Sequence, residues 1–247
     1  MQITDQNKQN KGFVAGTLIH TDKGLLPIEQ LKAGDRVLSK PENDPNAPNE
    51  YKIVIHTFKS RIKLFYVTYA VQDIDGDYKA KLIFCGENQT VWAKSWSDCD
   101  IEEHEKYIDL GWHPVLPLNA SDGHAFETCS HIPLIVADVR SGDDKDICVT
   151  EENPLIAILY DDGSNIAVVD FRGLHPVIVG EANDVGMRSL ASTQTKRILA
   201  SDKNNPDLKY FNSLRTTFEP YYADVYQIEV EDHHTYFIGN EGIWVHQ

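Results

Sequence analysis

Residues 242–247 read GIWVHQ, and residues 230–239 before them read VEDHHTYFIG. The final stretch has the composition of a hydrophobic β-strand, and it delivers His246 and then the carboxamide of Gln247 to the last positions of the sequence. Chain ends are more often polar and poorly ordered. We therefore expect residues 243–246 to form a strand of the fold.

The opposite end of the sequence carries a matching pattern. Residues 12–21 read GFVAGTLIHT, and residues 24–39 read GLLPIEQLKAGDRVLS. The segment 27–31 is long enough for one helical turn at most, and Gly34 closes it. Residues 1–11 are polar, without the apolar region of a secretory signal, and are expected to form a flexible lead-in.

Composition excludes several classes of function. The 247 residues include 38 Asp and Glu against 23 Lys and Arg, and a formal charge of -15 disfavours nucleic-acid binding. No apolar run is long enough for a membrane span. The four cysteines have no CxxC spacing, and the histidines have no metal-ligand spacing, so we expect no metal and no cofactor.

The middle of the sequence predicts an antiparallel, all-β architecture. β-branched and aromatic residues with partial period-two alternation predict strands, and Asp- and Gly-rich segments such as 73–77 predict hairpin turns. The predicted strands cover residues 51–58, 64–71, 78–84, 132–139, 147–149, 155–160 and 166–171. Residues 187–199 and 207–218 are the two candidate short helices, and 41–48 is expected to be an exposed loop.

Both ends together resemble the Hint superfamily, which includes inteins, hedgehog autoprocessing domains and the pretoxin modules of bacterial polymorphic toxins. Residues 13–18, with Pro27-Ile28 and Gly34-Asp35, are most similar to the pretoxin version. The resemblance implies an all-β horseshoe in which the strands at 13–17 and 243–246 are neighbours. Its core would comprise residues 12–95 and 221–247, and residues 96–220 would be an insertion or a duplicated half-domain.

The resemblance also implies a self-cleavage site. The first residue of the first motif is a cysteine in this family, and its thiol attacks the preceding carbonyl group. Here that position is Gly12, which has no side chain. Three explanations remain open: natural loss of the nucleophile, a deliberate substitution, or a misaligned boundary.

The second family motif is a Thr followed three residues later by a His that protonates the departing nitrogen. Two segments could correspond to it. Cys85 and Asn88 occur at the expected distance along the chain, whereas Thr150 and Asn153 retain the Thr. In either case an amide that does not titrate replaces the imidazole.

At the other end, the family uses a penultimate His and a final Asn that cyclises and cuts the backbone. His246 is retained and Gln247 replaces the Asn. Gln can cyclise through a six-membered ring, but its extra rotatable bond slows the reaction. His234 occupies the position of a supporting His, and Gln227 a position where many inteins carry an acidic residue.

The expected function is thus an intein-like autoprocessing module of a bacterial polymorphic toxin, inactive or reduced to slow C-terminal cleavage. Its substrate and partner would be the flanking polypeptide or toxin domain. Such a chain could work in the cytoplasm or be exported within a larger protein. The alternative is a non-catalytic adaptor of the same fold that presents a neighbouring toxin domain or partner protein through edge strands and its acidic surface.

Overall fold

The computed structural model describes residues 10–72, 78–96, 107–115, 124–131, 134–140, 147–150, 156–161, 165–181, 189–190, 216–217 and 221–247. These residues form nineteen strands and one 3-10 turn, Ile28–Gln30. In chain order the strands are β1 (Phe13–Val14), β2 (Leu18–Thr21), β3 (Gly24–Pro27), β4 (Arg36–Ser39), β5 (Glu50–Gln72), β6 (Tyr78–Gly86), β7 (Thr90–Trp96), β8 (Tyr107–Pro114), β9 (His124–Phe126), β10 (Leu134–Arg140), β11 (Ile147–Thr150), β12 (Ile156–Asp161), β13 (Asn165–Asp170), β14 (Val177–Glu181), β15 (Ser189–Leu190), β16 (Thr216–Thr217), β17 (Tyr222–Val230), β18 (Thr235–Ile238) and β19 (Ile243–His246).

The prediction of an all-β fold built from antiparallel strands is confirmed. Apart from the parallel contact of β15 with β6, every strand pair in the described part of the chain is antiparallel. The strands predicted within 51–71 are one continuous strand, β5, because its polar middle pairs with β17 instead of turning. The predicted hairpin between β5 and β6 is present as an antiparallel pair.

The nineteen strands are divided between two sheets. Fourteen strands form one sheet in the order β10-β9-β7-β19-β18-β2-β4-β5-β17-β1-β6-β15, with β3 beside β2 and β8 beside β7. Additional pairings of β5 with β10 and with β6 bring distant parts of this order together. The second sheet has the order β14-β13-β12-β11-β16.

The predicted neighbours β1 and β19 do not pair with each other. β1 pairs with β17 and β6, and β19 pairs with β18 and β7. β1 is only two residues long because the chain turns at Gly16, whose φ is 86°. The two ends of the sequence therefore meet through side chains and not through a strand ladder.

Alternating side chains of β5 and β6 fill cores on both faces of the main sheet. Val67, Tyr69, Ile83 and Cys85 face one core, which also contains Phe13. The neighbouring even-numbered residues of the same two strands face the other core. Phe13 is 1% exposed and packs edge-to-face against Tyr236, so truncating it to Ala would cost about 3–5 kcal/mol. This burial anchors the backbone next to position 12.

The segment 96–220 contributes to both sheets. Its strands β8, β9, β10 and β15 belong to the main sheet, whereas β11 to β14 and β16 form the second sheet. Phe171 docks this segment against Phe84 and Tyr221 of the main sheet, with ring centroids 5.3 and 4.7 Å apart. The assignment of 96–220 as an insertion stays a prediction.

The two candidate helices fall almost entirely outside the described residues. Within 187–199 and 207–218, the structure describes only β15 and β16, and both are strands. No helix in the described ranges is long and apolar enough to cross a membrane.

Candidate active site

The backbone of Gly12 is held between two strands. Its nitrogen donates a hydrogen bond to Gln89 Oε1 at 3.0 Å, and its carbonyl oxygen accepts one from the Gly86 nitrogen at 3.0 Å. Its φ is 118°, and a Cβ at this position would lie 2.7 Å from the carbonyl oxygen of Tyr226. Only glycine fits this backbone conformation and this space.

The side chain of Gln89 connects the two ends of the sequence. While its Oε1 accepts from Gly12, its Nε2 donates to the carbonyl oxygens of His246 at 2.9 Å and Thr90 at 3.2 Å. Gln89 is fully buried. Because a backbone N–H only donates and a carbonyl oxygen only accepts, these partners fix the orientation of the amide. Gln89 therefore presents an acceptor, and not an acid, to the Gly12 nitrogen.

The side-chain amide of Gln247 is also fixed in orientation. Its Oε1 accepts a hydrogen bond from the Val230 nitrogen, which can only donate. Its Nε2 consequently points at His234 Nδ1, 2.7 Å away. An amide NH₂ only donates, so His234 Nδ1 is the acceptor and its ring proton is on Nε2. In this form, His234 can take a proton from the Gln247 amide.

His234 reaches this position through a strained turn. The turn between β17 and β18 contains Asp232 and His234 with φ of 61° and 59°, values that residues other than glycine seldom adopt. The Gln247 nitrogen donates to the His234 carbonyl oxygen at 3.0 Å and locks the turn to the end of β19. Such strain, of order 1–3 kcal/mol per residue, is typical of functional sites.

Two side chains lie within hydrogen-bond distance of the main-chain oxygen of Gln247, which here belongs to the carboxyl group of the last residue and stands in for the carbonyl oxygen of a bond to a following residue. Lys11 Nζ lies 2.9 Å from it, and His246 Nδ1 lies 2.8 Å from it. The other ring nitrogen of His246, Nε2, is 2.6 Å from Glu42 Oε2. Both ring nitrogens of His246 thus face an oxygen, and the ring donates to both only when each nitrogen carries a hydrogen. Lys11 Nζ and His246 Nδ1 converge on the same oxygen of Gln247.

Aromatic residues pack against the His246 ring. Trp112 packs against it with ring centroids 5.3 Å apart, and Trp112 in turn packs against Trp244 at 4.7 Å. Trp112 Nε1 donates to the carbonyl oxygen of Glu42 at 3.0 Å, so the same tryptophan contacts both His246 and Glu42. The loop predicted for 41–48 is therefore tied to the site at Glu42.

The structure brings Gly12, His234, His246 and Gln247 together. Three other predicted site residues lie beside Gly12: Cys85 and the neighbour of Gln227, Tyr226, are both in register with Phe13, and the Asn88 nitrogen bonds to Asn10. Cys85 is in the core, where burial raises its pKa to about 12. Asn88 is exposed, and its nitrogen donates to the Asn10 carbonyl oxygen at 3.1 Å.

Of the two segments considered for the second motif, one lies apart from the main sheet. Thr150 ends β11 in the five-stranded sheet, in register with Thr216, and Asn153 lies outside the described residues. Gln227 is half-buried in β17, in register with Phe58. The contact from this strand to Gln247 comes instead from Val230.

Sequence reasoning missed three residues that contact the site: Lys11, Glu42 and Gln89. Gln89 follows Asn88 directly, so shifting the second motif by one residue would have found it. Lys11 adjoins Gly12, but it belongs to the polar segment 1–11 that the sequence indicates to be a flexible lead-in. No sequence signal distinguishes Glu42 from the other acidic residues of its loop. In the described ranges, no group of three or more His, Cys, Asp or Glu side chains could hold a metal ion.

Comparison of the sequence with protein-family models finds no match, and comparison with curated proteins finds none either. The structure is similar to solved inteins. These include a bacterial intein-like domain from Clostridium thermocellum, at 17% identity, covering 96% of this chain and 99% of that one, with a TM-score of 0.48. The gp41-1 intein is a further example, at 13% identity, covering 97% of this chain and 100% of that one, with a TM-score of 0.45. A DnaB intein from Synechocystis sp. is another, at 12% identity, covering 96% of this chain and 97% of that one, with a TM-score of 0.44.

Proposed function

We propose that this chain is an intein-like autoprocessing module that cleaves the peptide bond following Gln247, which we call the downstream bond, and leaves the Lys11–Gly12 bond, the upstream bond, intact. The observation that carries the proposal is the set of hydrogen-bond partners around Gln247. Its amide nitrogen faces an acceptor on His234, and its carbonyl oxygen faces donors on Lys11 and His246.

The proposed reaction is the cyclisation of Gln247. His234 Nδ1 takes a proton from Nε2, which forms a bond to the carbonyl carbon of the same residue. The C–N bond to the next residue then breaks, and the departing nitrogen gains a proton from His246 and leaves as a free amine. The module retains a six-membered imide. The reaction is slow because the Gln side chain must order one more bond than Asn.

The upstream bond lacks the groups for the corresponding reaction. Gly12 supplies no nucleophile, and the side chain at its nitrogen, Gln89, presents an oxygen that accepts. A departing nitrogen needs a proton, and a neutral amide does not provide one near pH 7. We propose further that the polypeptide released downstream is a toxin domain, on the basis of the pretoxin resemblance of residues 13–18.

The test is a protein extended at both ends, with a reporter after Gln247, followed over time by intact mass. We expect slow release of the reporter with a free α-amine. The module left behind should be one water lighter than its hydrolysis product. Gln247→Ala is the control and should release nothing. A parent protein that stays intact would refute cleavage, and saturable binding of a neighbouring domain would then favour the adaptor.

A further inference from the structure

The backbone on both sides of Lys11 is fixed to the turn that precedes β7. Asn10, with φ of 72°, accepts a hydrogen bond from the Asn88 nitrogen, and its Nδ2 donates to Glu87 Oε1 at 2.6 Å. On the other side, Gly12 bonds to Gly86 and Gln89. Gly86 leaves room for this approach, since a Cβ there would lie 2.1 Å from the Asn10 carbonyl oxygen. The side chain of Lys11 therefore projects from a fixed position.

The target of that side chain stands in for a reacting atom of the proposed cleavage. Lys11 Nζ donates to the main-chain oxygen of Gln247 at 2.9 Å across 236 positions of sequence, and this oxygen becomes the carbonyl oxygen of the downstream bond when a residue follows. Attack by Nε2 turns this oxygen into an oxyanion, and a positive donor already in place stabilises it without reorganisation. We propose that Lys11 is a catalytic residue for cleavage of the downstream bond, an inference that rests on the proposed function.

The position of Lys11 links the two bonds. It lies on the far side of the upstream bond, so cutting that bond would separate Lys11 from the module. The downstream reaction therefore depends on the upstream bond remaining whole. The glycine at position 12 preserves this arrangement, because it supplies no side chain that could attack the Lys11 carbonyl group.

His246 donates to the same oxygen, but it does not make Lys11 redundant. The proposed reaction requires His246 to give its proton to the departing nitrogen, after which the ring is neutral. The Lys11 ammonium keeps its charge throughout. Removing one such donor from an oxyanion site typically costs on the order of 100-fold or more in rate.

The experiment compares Lys11→Met, Lys11→Arg and the control Lys32→Met in the protein extended at both ends. Met matches the length of Lys without its charge, Arg keeps a charged donor, and Lys32 is exposed outside the site. We expect Lys11→Met to release the reporter about 100-fold more slowly than the parent. Lys11→Arg should retain much of the rate, and Lys32→Met all of it. Equal rates for Lys11→Met and Lys32→Met would overturn the proposal.

A second measurement separates this inference from the proposed function. With ¹³C at the Gln247 carbonyl, the chemical shift reports its hydrogen bonds whether or not cleavage occurs. We expect the shift to change in Lys11→Met and to stay in Lys32→Met. An unchanged shift in Lys11→Met removes the contact on which the inference stands. If the shift changes in Lys11→Met but the parent protein never cleaves, the contact exists, and the proposed function is refuted together with the catalytic role of Lys11.

Discussion

The surroundings of residue 12 and residue 247 differ, although Gln89 contacts both sides. Around Gly12, the groups in the described hydrogen bonds are neutral, and the side chain that accepts from the Gly12 nitrogen is the amide of Gln89. Around Gln247, a lysine and two imidazoles each face an atom that would react in the proposed cleavage. The difference teaches that the fold can equip one bond for cleavage while using the other as a structural link.

The largest expected effect tests the base on the downstream side. His234→Asn should slow reporter release about 100-fold, because it removes the group that takes the Gln247 proton. Asn tolerates positive φ, so the turn at φ 59° is kept. The rate is measured by intact mass. His56→Asn, at an exposed position of β5, is the control, and a similar loss in both variants would count against a specific role of His234.

The next effect tests whether the upstream side can be activated. Gly12→Cys should show no upstream cleavage with added thiol. It should also lower the free energy of unfolding by about 1–3 kcal/mol, because of the positive φ and the nearby Tyr226 oxygen. Gly24→Cys is a matched control, since its φ is 99° but nothing lies within 4 Å of a Cβ there. Denaturant titration compares the two. Efficient cleavage in Gly12→Cys would erase the contrast between the two bonds.

A smaller effect concerns the carboxylate behind His246. Glu42→Gln should slow reporter release about tenfold, equal to about 1.4 kcal/mol, because the proposed reaction needs a protonated His246 and a neutral partner favours that form less than a carboxylate does. Asp44→Asn in the same loop is the control and should leave the rate unchanged. If Glu42→Gln cleaves as fast as Asp44→Asn, the ion pair of Glu42 with His246 has no part in the reaction.

The smallest effect concerns the sulfur of the strand opposite β1. Burial raises the pKa of Cys85 to about 12 from 9.0, so its contribution to stability is full below pH 9 and is lost as pH rises towards 12. Cys85→Ala should therefore lose about 1 kcal/mol less between pH 8 and pH 10 than the parent. Denaturant titration at both pH values checks this. Equal losses in parent and Cys85→Ala would indicate a thiol that ionises normally.

Strand positions could be predicted from the sequence because alternation and turn residues are local signals. The predicted strands at 78–84 and 166–171 correspond to β6 and β13. The long strand β5 was predicted as two because residues 59–63, KSRIK, are polar and exposed for most of their length. Its continuity depends on pairing with β17, which lies far away in sequence. Alternation within one segment carries no information about such a partner.

The candidate site could be predicted only in part, for the same reason. His246 and Gln247 stand out because of their type and order at the end of a strand. Gln89 and Lys11 act through backbone turns at Gly12 and Gly86 that place them, and neither residue type is unusual. Spacing along the chain could not reveal that Lys11 lies beside Gln247, because this contact exists only in the assembled sheet.

The bridge formed by Gln89 has a consequence for timing during synthesis. The atoms it joins come from residues 12, 89 and 246, so the bridge closes only after residue 246 has been synthesised. Contacts between such distant segments form late in folding. Under the proposed function, a nascent polypeptide therefore cannot cut itself before residue 246 has been synthesised and paired with Gln89.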